Sequence, residues 1–243
     1  MNLEKLIKTT RSGKPPRIVL HGVHGVGKST WAAKAPDPIF IITEDGLTSI
    51  DVPHFPLCTT LPEVFEYMTG LIEQKHAYKT LVVDTADWLE KLIWTKICED
   101  ASMDNIEAFG YGKGYTIAMK QWDRFFNGLE VLRDKGMAIV ILAHNEIKAY
   151  NPPDADPYDR FQIKLHKHAA TKLEEWADVV LFANFKVYVD MKKGKKVGKA
   201  ALATPERVIY TTNCPAWKAK TRYKLPDTLE MDFNQLLKEI KNG

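Results

Sequence analysis

The sequence predicts an α/β fold in which a mostly parallel central sheet is flanked by helices. Short, β-branched apolar segments alternate along the chain with amphipathic segments of helical period, and this alternation is typical of parallel sheets that are covered on both faces. A glycine-rich segment, residues 22–29, separates the first apolar segment from the first helical one. Beyond residue 183 the pattern changes to short strands with turn residues between them. We therefore expect a parallel core followed by C-terminal β-hairpins.

The individual elements follow from these patterns in order. Five apolar segments predict buried strands at residues 17–21, 38–43, 80–84, 137–144 and 179–183. Segments of helical period predict helices at residues 30–35, 61–74, 88–97, 116–135, 171–176 and 233–241. Pro36 ends the first of these helices, and Pro62 lies at the start of the second. Strands and helices thus alternate up to the fifth strand.

Composition places the chain among globular proteins with one main domain. Its 243 residues are 45% hydrophobic, which is enough for one α/β core of ordinary size. We expect an N-terminal arm at residues 1–16, a main domain at residues 17–226, and a short C-terminal helix and tail at residues 227–243. No apolar segment has the length of a signal peptide or membrane span, so we expect a cytoplasmic protein without a membrane partner. Three separated cysteines predict reduced thiols.

Residues 22–29 match the phosphate-binding pattern G-x-x-x-x-G-K-[ST], and they lie between a predicted strand and a predicted helix. In this motif glycines let backbone amides turn toward phosphates, and the helix N-terminus adds partial positive charge. Lys28 would reach the β- and γ-phosphates, while the Ser29 hydroxyl would bind Mg²⁺. We therefore predict ATP and Mg²⁺ as cofactors. The predicted nucleotide-binding residues are Gly22, Val23, His24, Gly25, Val26, Gly27, Lys28, Ser29 and Thr30.

The predicted third strand ends on an acid, Asp84. An apolar strand that closes on aspartate is the form of the second motif of phosphate-loop NTPases, in which the carboxylate holds magnesium. Many α/β proteins contain such a strand, and the prediction gains force from the loop upstream. Ser29 and Asp84 are therefore the predicted metal ligands.

Hydrolysis also needs a group that orients or deprotonates the attacking water. In many AAA-type ATPases that acid directly follows the magnesium-binding aspartate, but here the next residue is Thr85. Glu44, at the end of the second predicted strand, is the available replacement. An exposed carboxylate without a catalytic role is the alternative interpretation of Glu44.

This arrangement resembles the RecA-like ATPase core, whose catalytic glutamate ends the strand between the two nucleotide motifs. In detail the chain looks most like the phage RecA-core nucleotide-binding proteins that work beside single-strand annealing recombination systems. The resemblance covers most of residues 17–226. The segments that carry it are residues 22–29, 43–47, 82–85, 109–115 and 219–226. The chain departs from bacterial RecA because His144 replaces an amide side chain, and because large N-terminal and C-terminal domains are not evident.

The resemblance implies roles for several further residues. His144 corresponds to the residue that senses the γ-phosphate, although a strand-end histidine satisfied by the backbone is the alternative. The proline-rich segment 145–167 and the glycine-aromatic segment 109–115 correspond to two DNA-binding loops, while a plain turn packed by tyrosines is the alternative for the latter. Aromatic faces and cations suit unpaired bases. The DNA-binding residues expected on this basis are Tyr111, Lys113, Tyr115, Lys148, Lys164 and Lys167.

Charge is unevenly distributed along the chain. The formal net charge is +3, but residues 186–224 contain eleven basic and two acidic residues, a net charge of +9. Such asymmetry favours a polyanionic partner, either nucleic acid or the triphosphate of a neighbouring subunit. For the lysines of residues 192–199, a solvated hairpin without a polyanionic partner is an equally good interpretation of the positive charge. In RecA-like proteins late basic residues complete a neighbour's site, so Lys220 and Arg222 are candidates for this trans role, with Lys218 less favoured.

Together these observations predict an ATPase that depends on single-stranded DNA and assists phage-type homologous recombination or annealing. Glu44, Lys28, His144, Lys220 and Arg222 are its predicted catalytic residues. The resemblance implies self-association with ATP at the subunit interface, and a single-strand-binding or annealing protein as a further partner. A nucleotide-dependent replication loader or scaffold with little hydrolysis is one alternative. A kinase is disfavoured, because residues 145–167 contain only one arginine where an arginine-rich lid would be needed.

Overall fold

Five parallel strands form the centre of the computed structural model, which describes residues 13–154, 156–189 and 201–242. These strands are β1 (Arg17–Gly22), β2 (Pro38–Ile42), β3 (Thr80–Asp84), β4 (Ala138–Tyr150) and β6 (Val179–Val189). Their order in the sheet is β2-β3-β4-β1-β6. Residues 1–12 of the expected N-terminal arm and the lysine-rich segment 192–199 lie outside the described residues. The predicted parallel core is confirmed.

Antiparallel strands extend this core on one side. β7 (Ala201–Tyr210) pairs with β6, and β9 (Thr228–Leu229) pairs with β7. Two further strands, β5 (Tyr158–Ile163) and β8 (Lys220–Thr221), pair antiparallel with β4 and β6. The predicted C-terminal change from parallel to antiparallel pairing is therefore confirmed.

Helices cover both faces of the sheet. The helices are α1 (Lys28–Ala32), α2 (Leu61–Glu73), α3 (Ala86–Asp100), α4 (Lys113–Asp134), α5 (Lys167–Trp176) and α6 (Phe233–Asn242). One apolar core lies between the sheet and α2, α3, α4 and α5, with Trp122 and Leu89 fully buried in it. A second core lies on the opposite face beneath α1 and α6, around Trp31 and Phe233. Among the described residues, no helix is long and apolar enough to cross a membrane.

The expectation of a long loop without secondary structure at residues 145–167 is wrong, while its DNA-binding role stays a prediction. β4 continues past His144 and forms a hairpin with β5, with Asn145 opposite Ile163 and Tyr150 opposite Tyr158. The hairpin projects beyond the parallel sheet, where polar residues are exposed on its strands, so the segment does not show the apolar run of a buried strand. The hairpin places residues 145–150 and 158–163 on paired strands that extend from His144.

The segment 109–115 also differs from expectation, because most of it is helical. A short 3-10 helix, Ile106–Phe109, precedes Gly110, and α4 begins at Lys113 rather than residue 116. Gly110 and Gly112 have φ values of 70° and 71°, and they turn the chain between the two helices. Only the short turn between the helices remains of the predicted loop.

Residues 227–242 pack into the main domain rather than forming a tail. Phe233 and Leu236 of α6 are fully buried, and the rings of Phe233 and Trp31 have centroids 4.6 Å apart. Leu229 of β9 is also buried in the core beneath α1. The domain boundary predicted at residue 226 therefore does not mark the edge of the packed unit.

Candidate nucleotide site and an adjoining cavity

The glycine-rich segment connects the end of β1 to the start of α1. Gly22 must be glycine, because a Cβ there would lie 2.3 Å from the carbonyl oxygen of Ala183 on β6. Gly25 and Gly27 have φ values of 73° and 93°, which residues other than glycine rarely adopt. α1 begins at Lys28, two residues earlier than predicted, so Lys28 and Ser29 form its first turn. This is the geometry in which backbone amides converge on a phosphate.

Lys28 and Ser29 are oriented by neighbouring groups in the loop and on β3. The Lys28 ammonium donates to the carbonyl oxygens of Gly22 (3.1 Å) and Val23 (3.3 Å), and burial lowers its pKa although nearby carboxylates oppose the shift. The Ser29 hydroxyl donates to Asp84 Oδ2 at 2.6 Å. Burial raises the pKa of Asp84, because a buried carboxylate loses its hydration. A bound cation would favour the ionised form of this carboxyl.

Glu44 lies directly after β2 and faces the end of β3. Thr43 connects the two strand ends, because its hydroxyl donates to the carbonyl oxygen of Thr85 (2.8 Å) and accepts from the Thr85 amide (2.9 Å). The Thr85 hydroxyl in turn lies 3.4 Å from Glu44 Oε2. Thr85 therefore holds the carboxylate of Glu44 beside the position that an acid at residue 85 would itself occupy.

His144, at the point where β4 leaves the parallel sheet, is held by Asp87 in α3. Asp87 accepts from the His144 amide and from its Nδ1, both at 3.0 Å. Burial opposes ionisation of Asp87, but these hydrogen bonds outweigh it and lower its pKa. The same Nδ1 lies 3.7 Å from Glu44 Oε2. On its other side the ring stacks on His24 of the glycine-rich segment, with centroids 4.1 Å apart, and His144 lowers the pKa of His24.

These side chains line one cavity of about 300 Å³, which we call the nucleotide cavity. Predicted site residues in its wall are Gly25, Gly27, Lys28, Ser29, Thr30, Glu44, Asp84 and His144. The donor set fits magnesium, because Mg²⁺ takes oxygen ligands and completes its shell with water and substrate phosphates. The Ser29 hydroxyl and the Asp84 carboxylate are the two adjacent protein oxygens that would hold it.

A second cavity of about 310 Å³, the adjoining cavity, lies on the other side of Asp87. Its wall consists of Asp87, Glu90, Lys91, Trp94, Glu146, Lys148, Lys164, Leu165 and His166. Burial raises the pKa of Glu90 to about 7, although the His166 amide donates to its Oε2 at 2.9 Å. The Lys164 amide donates to the His144 carbonyl oxygen at 2.9 Å. His144 and Asp87 therefore lie between the two cavities.

The expected DNA-binding residues are brought together only in part. Lys148 and Lys164 both line the adjoining cavity, and Lys148 also pairs with Glu146 at 2.7 Å. Tyr111 is fully exposed, and Lys113 and Lys167 are exposed at the first positions of α4 and α5. These positions leave them accessible to a polyanion.

Tyr115, one of the expected DNA-binding residues, is packed against neighbouring rings. Its ring stacks on His166 with centroids 4.0 Å apart and meets the Trp94 ring edge-on at 5.4 Å. Its hydroxyl donates to Glu107 at 3.3 Å. These contacts hold the Tyr115 ring in place and favour a packing role.

The basic residues expected to act in trans have partners in their own chain. The Lys220 ammonium donates to three carbonyl oxygens at the end of α5, those of Glu174 (2.7 Å), Glu175 (3.2 Å) and Ala177 (3.0 Å). Arg222 pairs with Asp178 at 3.0 Å. These contacts favour a structural role, and a contribution to a neighbour's site stays a prediction.

Lys218 has an intrachain partner of the same kind, because its ammonium pairs with the Glu174 carboxylate at 2.9 Å. Lys218, Lys220 and Arg222 thus all contact residues at the end of α5 or Asp178 just after it. Their contribution to the positive charge of residues 186–224 is offset locally.

Two residues of the site were not predicted from the sequence. Asp87 and Glu90 follow Asp84 at intervals of three, and the helix that begins at Ala86 places them with Trp94 along one side of the adjoining cavity. Acidic residues at helical spacing after a strand-end aspartate are the sequence pattern that could have predicted these two positions. Neither residue belongs to a phosphate-binding motif, so the motifs in the sequence do not identify them.

Comparison with known proteins agrees with this geometry. The chain is similar to the SPbeta prophage-derived uncharacterized protein YorG of Bacillus subtilis (strain 168), at 22% identity over 256 residues, which cover 92% of this chain and 77% of that protein. A family model described as an AAA domain, AAA_24, matches residues 14–223. AAA domains are phosphate-loop ATPase domains, and the match contains every residue of the nucleotide cavity. The chain therefore belongs to the AAA_24 family of AAA domains.

Proposed function

We propose that this protein is an ATPase that depends on single-stranded DNA and assists phage-type homologous recombination or single-strand annealing. One observation carries the proposal: His144 and Asp87 connect Glu44 in the nucleotide cavity to the lysine-lined adjoining cavity. The nucleotide cavity opens at the ends of the parallel strands, which is where ligands bind in open α/β sheets.

The nucleotide would be held by the loop between β1 and α1. Backbone amides and the N-terminus of α1 would contact the phosphates, and Lys28 would exchange its two carbonyl partners for phosphate oxygens. Magnesium, when bound, neutralises charge that develops on the phosphates during transfer. Ser29 and Asp84 would hold that ion.

Glu44 would orient the attacking water and accept its proton. A general base must lie within hydrogen-bond reach of the water, and Glu44 lines the same cavity as Lys28 and Ser29. Its side chain is 30% exposed, so water can reach it. Thr85 and His144 would keep the carboxylate in place, at 3.4 Å and 3.7 Å from Oε2.

Coupling to DNA would pass through His144. A change in the position of Glu44 on binding or losing the γ-phosphate would alter its contact with the His144 ring. That ring is hydrogen-bonded to Asp87, and the His144 carbonyl oxygen accepts from the Lys164 amide. A shift of His144 would therefore move a lysine in the adjoining cavity. Such coupling is reciprocal, so DNA at that cavity would also change the nucleotide site.

The DNA surface would consist of the adjoining cavity and the exposed residues around it. Lys148, Lys164, Lys113 and Lys167 supply positive charge, and the exposed ring of Tyr111 can stack on an unpaired base. Double-stranded DNA keeps its bases stacked inside the duplex, so an exposed aromatic side chain favours a single strand. This chemistry, together with the prophage origin of the similar protein YorG, supports a recombination role beside a single-strand-binding or annealing protein.

The experiment that tests this function measures ATP turnover with and without single-stranded DNA, on the wild type and on Glu44→Gln. We expect DNA to stimulate the wild type at least about tenfold, and Glu44→Gln to bind ATP but lose turnover by about 10²-fold or more, as a missing general base does. Turnover that is the same with and without DNA would contradict the proposal. Binding of ATP and DNA with negligible turnover under all conditions would instead indicate a loader or scaffold.

A further inference from the structure

Arg207 approaches the glycine-rich loop from the flank opposite Glu44, Asp84 and His144. β1 pairs with β4 on one side and with β6 on the other. Glu44, Asp84 and His144 lie at or just beyond the ends of β2, β3 and the parallel part of β4, so they reach the loop from the first side. Arg207 is on β7, which pairs with β6 and lies beyond the second side.

The register of β7 directs Arg207 toward the loop and α1. Arg207 lies directly opposite Phe185, and directly opposed residues of an antiparallel pair share one face of the sheet. Phe185 packs against the core that contains Val26 and Trp31 of the loop and α1. Ile209, two residues along β7 and therefore on the same face, is fully buried in that core.

The guanidinium group of Arg207 lies against the backbone of Gly27. A Cβ at Gly27 would be 2.8 Å from Arg207 Nη1, so the guanidinium lies in the space that a side chain at residue 27 would enter. Arg207 is exposed, and among the described residues its guanidinium has neither a hydrogen-bond acceptor nor a carboxylate partner. An unpaired arginine beside a phosphate-binding loop is available to an anion.

We propose that Arg207 binds the α- and β-phosphates of the nucleotide held by the loop of its own chain. The backbone amides of this loop cradle those two phosphates, and a guanidinium binds phosphate oxygens through two parallel hydrogen bonds. Arg207 contacts the loop on the side opposite Glu44, Asp84 and His144, which surround the γ-phosphate position. Its guanidinium would therefore bind the α- and β-phosphates, which ATP and ADP share, rather than the γ-phosphate. The inference rests on the proposed function, and it makes the C-terminal antiparallel strands part of the nucleotide site.

The test compares nucleotide affinities of Arg207→Ala and Arg207→Lys with those of the wild type. Fluorescent ADP and a fluorescent, slowly hydrolysed ATP analogue are titrated with Mg²⁺ present. Lys224→Ala is the matched control, because it removes an exposed charge from the same basic segment. We expect Arg207→Ala to raise Kd roughly tenfold for both nucleotides, as loss of one charge-assisted contact does. Arg207→Lys should fall between Arg207→Ala and the wild type, and Lys224→Ala should stay within about twofold.

Several results would overturn the inference. An unchanged Kd in Arg207→Ala would remove Arg207 from the site, and a loss confined to the ATP analogue would contradict the assignment to the α- and β-phosphates. An effect seen only at concentrations where light scattering shows self-association would contradict binding within one chain. If the wild type itself binds neither nucleotide, the proposed function fails as well, whereas failure of Arg207 alone leaves that function intact. Circular dichroism of each variant confirms that it is folded.

Discussion

At the scale of single residues, the site depends on ionisable groups that the fold removes from water. Asp84, Asp87 and Glu90 lie three residues apart and are all buried, but their partners differ. Asp87 is ionised because His144 donates to it twice. Glu90 Oε1 has no hydrogen-bond partner among the described residues, and burial raises the pKa of Glu90 to about 7. The sequence motifs identify only Asp84 of these three. The burial and partners of Asp87 and Glu90 depend on His144 and His166, which are distant in the sequence.

The first prediction concerns Glu90 and pH. The unfolded carboxyl ionises near 4.5 and the folded one at about 7, so the folded protein keeps a proton between these values. The free energy of unfolding should therefore fall as pH rises through this window, by on the order of 1–3 kcal/mol at pH 8, and Glu90→Gln should remove that loss.

Urea unfolding from pH 5 to pH 8 measures this effect. The matched control is Glu99→Gln, an exposed glutamate of the same helix. If Glu90→Gln and Glu99→Gln show the same pH dependence as the wild type, Glu90 does not hold a proton in the folded protein.

The second prediction concerns Asp87 as a positioning residue for His144. Asp87→Asn removes the charge that orients the His144 ring while leaving a side chain of the same size. We expect DNA stimulation of ATP turnover to fall about tenfold or more, because the connection between the cavities is weakened, while the Kd of ATP changes by less than about threefold. Steady-state turnover with and without DNA, together with an ATP titration, measures both quantities.

Asp100→Asn is the control for this variant, since Asp100 lies on the same helix, is exposed, and pairs with Lys96 at the surface. A shift in the pH profile of turnover is expected for Asp87→Asn and not for the control. Equal stimulation in both variants would show that Asp87 has no part in the coupling.

At the scale of elements, the sequence predicted the buried strands well and the exposed ones poorly. Residues 80–84 form an apolar strand with both faces buried, so period and composition identify it directly. The hairpin of β4 and β5 is half exposed, so its polar residues show no apolar strand pattern. Its strands are recognised only from their pairing with each other. Lys220 shows the same limit, because its charge suggested a phosphate whereas its contacts are the carbonyl oxygens of α5.

The third prediction tests that contact. The three N–H donors of Lys220 match three carbonyl oxygens at the end of α5, where a positive charge is also favoured by the helix dipole. Lys220→Ala should lower the free energy of unfolding by about 1–2 kcal/mol and Tm by about 3–6 °C. ATP turnover per folded molecule should be unchanged.

Calorimetry and turnover of Lys220→Ala are compared with those of Lys224→Ala, which removes an exposed lysine of the same segment. Lost turnover with unchanged Tm would contradict the structural role and support a contribution to a neighbouring subunit's nucleotide site.

At the scale of the whole molecule, the parallel sheet brings distant residues to one edge. Glu44, Asp84 and His144 lie at or just beyond the ends of the parallel segments of three different strands, and the order β2-β3-β4-β1 places them beside the loop between β1 and α1. The sequence predicted this convergence, because parallel strands end on the same side. It did not predict the adjoining cavity, which forms only where α3, the hairpin and the start of α5 meet.

The central claim is that the nucleotide state controls the affinity for single-stranded DNA through His144 and Asp87. The most direct measurement is the Kd of a labelled single-stranded oligonucleotide, by fluorescence anisotropy, for the wild type with no nucleotide, with ADP, and with a slowly hydrolysed ATP analogue. We expect binding with the ATP analogue to be about tenfold tighter than with ADP, a coupling of about 1.4 kcal/mol. The same Kd in all three states would contradict the account.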